Sequence, residues 1–164
     1  MNNPTPKTRI FLPVFVLLMA ASAALSAQNR WIGGTPGAES DWNTPRNWSQ
    51  QHVPYWGDQV VIVPNVSSSS GYFPVVDETV EEIPYLLIEA GAYLVITDSG
   101  QLTINGETTY NYGLLNAGEL INEGELFIFR TAMPALGPGH GRLTNQGVLA
   151  MDDPAQPVRY AQRN

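Results

Sequence analysis

The sequence predicts an all-β fold: a single-stranded right-handed parallel β-helix (solenoid) of about three to four coils with an N-terminal Trp-rich cap. Three observations carry the prediction. A Gly-x-Leu unit opens at Gly100, Gly113, Gly118, Gly124, Gly141 and Gly147, with Leu102, Leu115, Leu120, Leu126, Leu143 and Leu149 two residues on. Successive units, as from Leu115 to Leu120 to Leu126, follow too closely for antiparallel strands with loops, and Asn105-Gly106 is the one Asn-Gly hairpin pair. All four Trp stand together near the start, in a block broken by Gly and Pro.

In chain order, residues 1–27 read as a signal peptide. Lys7 and Arg9 form a basic start, Ile10 to Ala21 an apolar run, and small residues lead to a cleavage point after Ala27. The run is shorter than the ~20 residues of a permanent span. Cleavage leaves no stable membrane span and implies a secreted or cell-surface protein. The remaining chain has six Arg, no Lys and 15 acids, a net charge near −9. Such a surface repels phosphate backbones, which argues against nucleic-acid binding. With 164 residues there is room for one domain, and with no Cys there is neither a disulfide framework nor a thiolate metal site.

Residues 28–64 form the Trp-rich cap and a first strand. Trp31, Trp42, Trp48 and Trp56 are the expected structural cap, large rings covering the open end of a sheet. Asp58 to Pro64 reads as the first strand from its run of Val and Ile. Residues 65–151 are the solenoid repeats. They begin with a flexible Ser67 to Gly71 loop, a strand over Tyr72 to Val76 and an irregular Val80 to Pro84. Leu86-x-Ile88, Leu94-x-Ile96 and Leu102-x-Ile104 each place two side chains on one face. Gly turns the corners through positive φ. Asn105, Asn116, Asn122 and Asn145 can stack as an amide ladder. Each coil takes roughly 18–22 residues. Residues 130–140 interrupt the repeats as a Pro- and Gly-rich loop, and 152–164 form an irregular tail in which Pro154 and Pro157 stop the pattern.

The block Trp31-x-Gly33, Asp41-Trp42-Asn43, Asn47-Trp48-Ser49, Val53-Pro54 and Asp58-x-Val60-x-Ile62, followed by Gly-x-Leu units, resembles the opening of many bacterial secreted and surface proteins. The resemblance runs from about Trp31 to Met151. It implies a parallel β-helix in an adhesin-like or autotransporter-like setting, and it brings no catalytic residue.

The residues themselves offer little chemistry. His52 and His140 lack zinc or nucleophile–base spacing. Asp77, Asp98 and Glu107 stand singly rather than as the paired carboxylates that sugar cleavage needs. Glu119, Glu123 and Glu125 read as a solvated outer face, with calcium the alternative, although no D-x-D-x-D-G loop supports it. No catalytic residue, metal or cofactor is expected. Tyr72, Tyr110 and Tyr112 are the candidate binding residues, as rings on which sugars could stack. The expected function is a non-enzymatic structural or adhesive module. The alternatives are a carbohydrate-binding module and a fragment of a polysaccharide-degrading β-helix enzyme. The partners expected are surface polysaccharide, the surface of a host or neighbouring cell, and a second copy meeting the uncovered last coil end to end.

Overall fold

A computed structural model describes residues 28–64, 71–106, 113–131, 134–137, 139–153 and 156–161. The expected signal peptide, Asn65 to Ser70, Glu107 and the candidate residues Tyr110 and Tyr112 lie outside the described residues. Among the described residues twelve strands follow one another: β1 Gln28–Arg30, β2 Gln59–Ile62, β3 Val75–Val76, β4 Tyr85–Ile88, β5 Tyr93–Ile96 and β6 Gln101–Asn105, then β7 Leu114–Asn116, β8 Glu119–Asn122, β9 Glu125–Phe129, β10 Arg142–Asn145, β11 Val148–Asp153 and β12 Gln156–Ala161. They form three four-stranded sheets, in the orders β1-β2-β4-β7, β3-β5-β8-β10 and β6-β9-β11-β12. From β2 to β11 consecutive strands lie in different sheets, and neighbours within a sheet are parallel, apart from β11 and β12. The fold is therefore all-β, a β-solenoid of about three turns.

The interior follows from the period-two alternation of each strand. In β6, β8 and β9 the Gly-x-Leu logic holds, since Leu102, Leu120 and Leu126 are fully buried. Registers stack like on like: Leu94 on Leu120, Leu102 on Leu126, and Ile104 on Ile128. One apolar cluster runs from Trp31 to Ile128 through all three sheets, with Leu143, Leu149 and Met151 partly buried against it. The third side of the first turn is irregular, as expected, yet Val80 and Ile83 point inward there and Thr79 and Ile83 bridge to Gln101 and Ile104.

Several expectations need correction. The first strand is β1, before the Trp block rather than after it, because Gln28–Arg30 pairs with Gln59–Val61. The 152–164 segment is not irregular throughout: β12 returns antiparallel on β11, pairing Ala150 with Tyr160 and Met151 with Arg159. Its Pro157 sits in the outermost strand of the sheet, the position that tolerates a residue without an N–H. In β7 the inward residue is Leu114, not Leu115, because pairing with Leu86 and Ile88 fixes the alternation and turns Leu114 and Asn116 to the core. The turns are longer than expected: Gln101 and Glu125, stacked on adjacent turns, are 24 residues apart, and Asn122 and Asn145 are 23 apart. The connections between sides are longer than the repeat implies.

A further correction concerns the glycines. Among the repeat glycines positive φ occurs at Gly91 and Gly141, but not at Gly100, Gly113, Gly118, Gly124 or Gly147. Those glycines serve close approach. A Cβ on Gly124 would lie 2.1 Å from the Thr97 carbonyl oxygen and 2.3 Å from that of Gly100, and one on Gly147 would lie 2.1 Å from the Gly124 carbonyl oxygen. The corners of successive turns thus stack backbone on backbone, tied by Glu125 N–H to Gly100 O and Val148 N–H to Gly124 O.

The Asn ladder is shorter than the sequence suggests. Asn122 donates through Nδ2 to Asn145 Oδ1 at 2.6 Å and to Val148 O at 2.8 Å. Asn116 instead donates to Arg142 O and accepts from Gly118 N–H. Asn105 lies on the outer corner, donating to Glu82 Oε1 and accepting from Arg130 Nε.

Candidate functional site

The Trp block packs across the N-terminal end of the core. Trp31 N–H donates to Val61 O and Trp42 N–H to Val75 O, which ties the block to β2 and to β3. Trp48 lies edge-on to both Trp31, with centroids 4.9 Å apart, and Trp42, at 4.7 Å. Such T-shaped contacts set the positive ring edge against the negative face. The Trp48 indole donates to Trp42 O and the Trp31 indole to Tyr72 O. These three rings are the structural cap. Trp56 is not part of it: the ring is 41% exposed, with the Arg130 guanidinium 5.8 Å from its centroid. The turn that Trp56 occupies, next to Gly57 and ahead of β2, holds it at the outer corner rather than over the core.

Asn47, which opens the Asn47-Trp48-Ser49 element, organises this block. Asn47, fully buried, donates to Ala38 O and Asp41 O, accepts from Thr35 N–H, and through its own carbonyl accepts from Ile32 N–H. It closes a three-residue 3-10 turn, Pro45–Asn47, with Pro at the first position, where no N–H is needed. Nearby, Glu39 accepts from Gly37 N–H, and this backbone bond holds its carboxyl below the usual glutamate range.

His52 turns its Nδ1 toward Val53 O, at 3.0 Å, and toward Asp58 Oδ2, at 3.5 Å. The same Asp58 oxygen accepts from Asn29 Nδ2 and Tyr55 N–H. This is a buried carboxylate that closes the turn into β2. His140 is exposed in the loop after Gly137. Asp77 and Asp98 stand exposed and apart between strands. Among the described residues no three His, Asp or Glu gather in a way that could hold a metal ion. Of the acidic triplet, Glu119 pairs with Arg142 and Glu125 accepts from Gln101 Nε2, both across adjacent turns, and Glu123 is exposed.

Tyr72 is exposed beside β3, as a surface ring should be. The more organised aromatic surface is one the sequence reading passed over. Tyr93 opens β5, 41% exposed, and Phe73 packs on it with centroids 4.9 Å apart. Register places Tyr93 beside Glu119 and Glu119 beside Arg142, one column on the outer face of the second sheet. A shallow hollow of about 180 Å³ opens along this column, lined by Gly91, Ala92, Tyr93, Ala117, Gly118, Glu119 and Arg142. The signal was present in the sequence: the Gly91 unit has Tyr93 where the other units have Leu.

Fold and surface together define a class, a β-solenoid with a Trp-packed N-terminal end and a small polar–aromatic hollow on its flank. No family model matches the chain. The chain is similar to the minor fimbrium subunit Mfa5 of Porphyromonas gingivalis, with 31% identity over 83 residues; the match covers 48% of this chain and 7% of that subunit. No solved structure matches. Among the described residues, no helix is long and apolar enough to cross a membrane.

Proposed function

We propose that this chain is an exported, non-enzymatic surface module in which the solenoid serves as a structural or adhesive element. The observation that carries the reading is the single apolar interior from Trp31 to Ile128, which commits the inward repeat side chains to packing and leaves the described acids, apart from the buried turn residue Asp58, scattered on the surface. General acid–base chemistry on a glycosidic bond needs two carboxyl groups facing each other across a few Å. The similarity to a fimbrium subunit supports a surface setting, as do the N-terminal apolar run and the resemblance to bacterial surface proteins. The 7% of that subunit covered makes the present chain comparable to one module of it, not to the whole.

The test is to express the full chain with a C-terminal tag in a bacterial host, then fractionate and treat intact cells with protease. The tagged protein is expected at the cell exterior, degraded by protease without lysis, and inert toward pectin-like polysaccharides. Retention in the cytoplasm, or release of reducing or unsaturated sugar, overturns the reading.

A further inference from the structure

We infer that the hollow between Tyr93 and the Glu119–Arg142 pair is a binding site for a neutral pyranose ring of a surface glycan. The inference rests on the adhesive reading above and gives it a contact residue by residue. The floor comes first. Gly91, Ala92, Ala117 and Gly118 lie where two turns of the solenoid meet at a corner. A Cβ on Gly118 would stand 2.3 Å from Ala92 O and 2.5 Å from Glu89 O, so the turns approach too closely for a side chain to rise between them. The result is a flat floor of backbone and methyl groups.

One wall is Tyr93. Its ring is braced by Phe73, tilted at 59°, and Phe73 is itself packed against the core. A ring already held in place loses little conformational freedom when a ligand lands on it. The C–H face of a pyranose carries slight positive charge and complements the negative face of an aromatic ring. Beside Tyr93 in the same column stands the ion pair. Glu119 is 18% exposed at its side chain and Arg142 70%, so the carboxylate is held against the sheet and the guanidinium reaches out from it. Together they offer an acceptor and several donors side by side, the arrangement that two vicinal hydroxyls can satisfy at once.

Charge and size narrow the ligand. The pair is neutral as a unit, and the chain carries a net charge of −7, which disfavours polyanions. A hollow of about 180 Å³ falls below the ~300–1,000 Å³ of pockets for larger ligands and takes one ring. A single ring with one polar pair binds at about millimolar strength, so retention depends on many copies presented together.

The purified full chain is therefore applied to a dense array of immobilised neutral and acidic glycans, alongside Tyr93→Ala, Ala117→Phe, Tyr93→Phe and Tyr55→Ala. The wild type is expected to be retained on neutral glycans. Tyr93→Ala and Ala117→Phe, the latter filling the hollow from an exposed position, should each reduce retention by at least about fivefold. Tyr93→Phe, which keeps the ring, and Tyr55→Ala, an exposed ring elsewhere, should stay within about twofold of wild type. Thermal melts check folding, and if Tyr93→Ala does not fold, Ala117→Phe decides. Absence of neutral-glycan retention, retention on acidic glycans alone, or wild-type retention by Ala117→Phe overturns the site. Such a failure with the protein still at the cell exterior rejects the saccharide site alone; loss of the exterior location rejects the surface reading, while the array result stands on its own.

Discussion

A methyl group at Gly124 would meet two carbonyl oxygens of the preceding turn, one from Thr97 and one from Gly100. Neither oxygen can move freely, because the Gly100 carbonyl accepts from Glu125 N–H and the two corners are locked in register. Gly124→Ala is therefore expected to lower stability by about 3 kcal/mol, at the upper end of overpacking costs. Gly37 gives the contrast. It has φ +84 and open space where a Cβ would stand, so Gly37→Ala meets only the backbone strain of a left-handed residue, about 1 kcal/mol. Urea denaturation of both variants separates the two explanations. Equal losses would mean that the corner at Gly124 relaxes around the added methyl at no more than the cost of the backbone strain at Gly37. The sequence reading took these glycines as corner formers, which is right in place and wrong in cause. A sequence shows that a side chain is missing; only the distance to the next turn shows what it would have struck.

At the scale of one element, the Trp block is held by Asn47 as much as by its rings. Both Nδ2 hydrogens and the Oδ1 acceptor of this fully buried side chain are used, on Ala38, Asp41 and Thr35. Asn47→Ala removes these partners at once and leaves buried backbone groups unpaired, each at ~1–3 kcal/mol. A loss of about 3 kcal/mol in urea denaturation is the expected outcome, and a loss under 1 kcal/mol would show that water replaces the side chain. The same geometry means that Asn47 in its Asn-Trp-Ser motif offers no accessible amide nitrogen once the chain is folded. The block was legible in the sequence as a cluster of Trp among turns, but its hub was not. Asn in a turn-rich stretch has many uses, and the three backbone groups it joins are up to a dozen residues away. Leu115 shows the complementary limit. The unit Gly113-x-Leu115 matches the repeat in letters, yet pairing with β4 sets the alternation and buries Leu114. Tyr93 illustrates the same limit: it stands where other units carry Leu, yet it is the outward neighbour of the inward Leu94.

Across the whole molecule, the two ends are built differently. The N-terminal end is covered by three interlocked indoles, whereas β7 and β10 are outermost in their sheets at the other end and Leu143 is only partly buried. In a solenoid each turn is supported chiefly by its neighbours, so loss of an end cover propagates inward from that end. Parallel coils were readable from the spacing of Gly and Leu, because the pattern repeats and each unit supports the others. Which Trp did the covering was not, because all four share one composition and one neighbourhood. The structure separates them. Trp48 touches two other indoles, donates to Trp42 O, and is fully buried; Trp56 is exposed with a guanidinium beside it. Trp48→Ala opens a cavity at the centre of the cover and is expected to lower stability by about 3–5 kcal/mol. That is a large part of the ~5–15 kcal/mol that holds a domain of ordinary size. Trp56→Ala loses an exposed ring and a screened cation–π contact, together under about 1 kcal/mol. Chemical denaturation followed by circular dichroism reads both. If the cover is what holds the first turn, Trp48→Ala shifts the midpoint strongly and Trp56→Ala barely moves it; comparable shifts for the two would place the stabilising contacts outside the three-indole cluster.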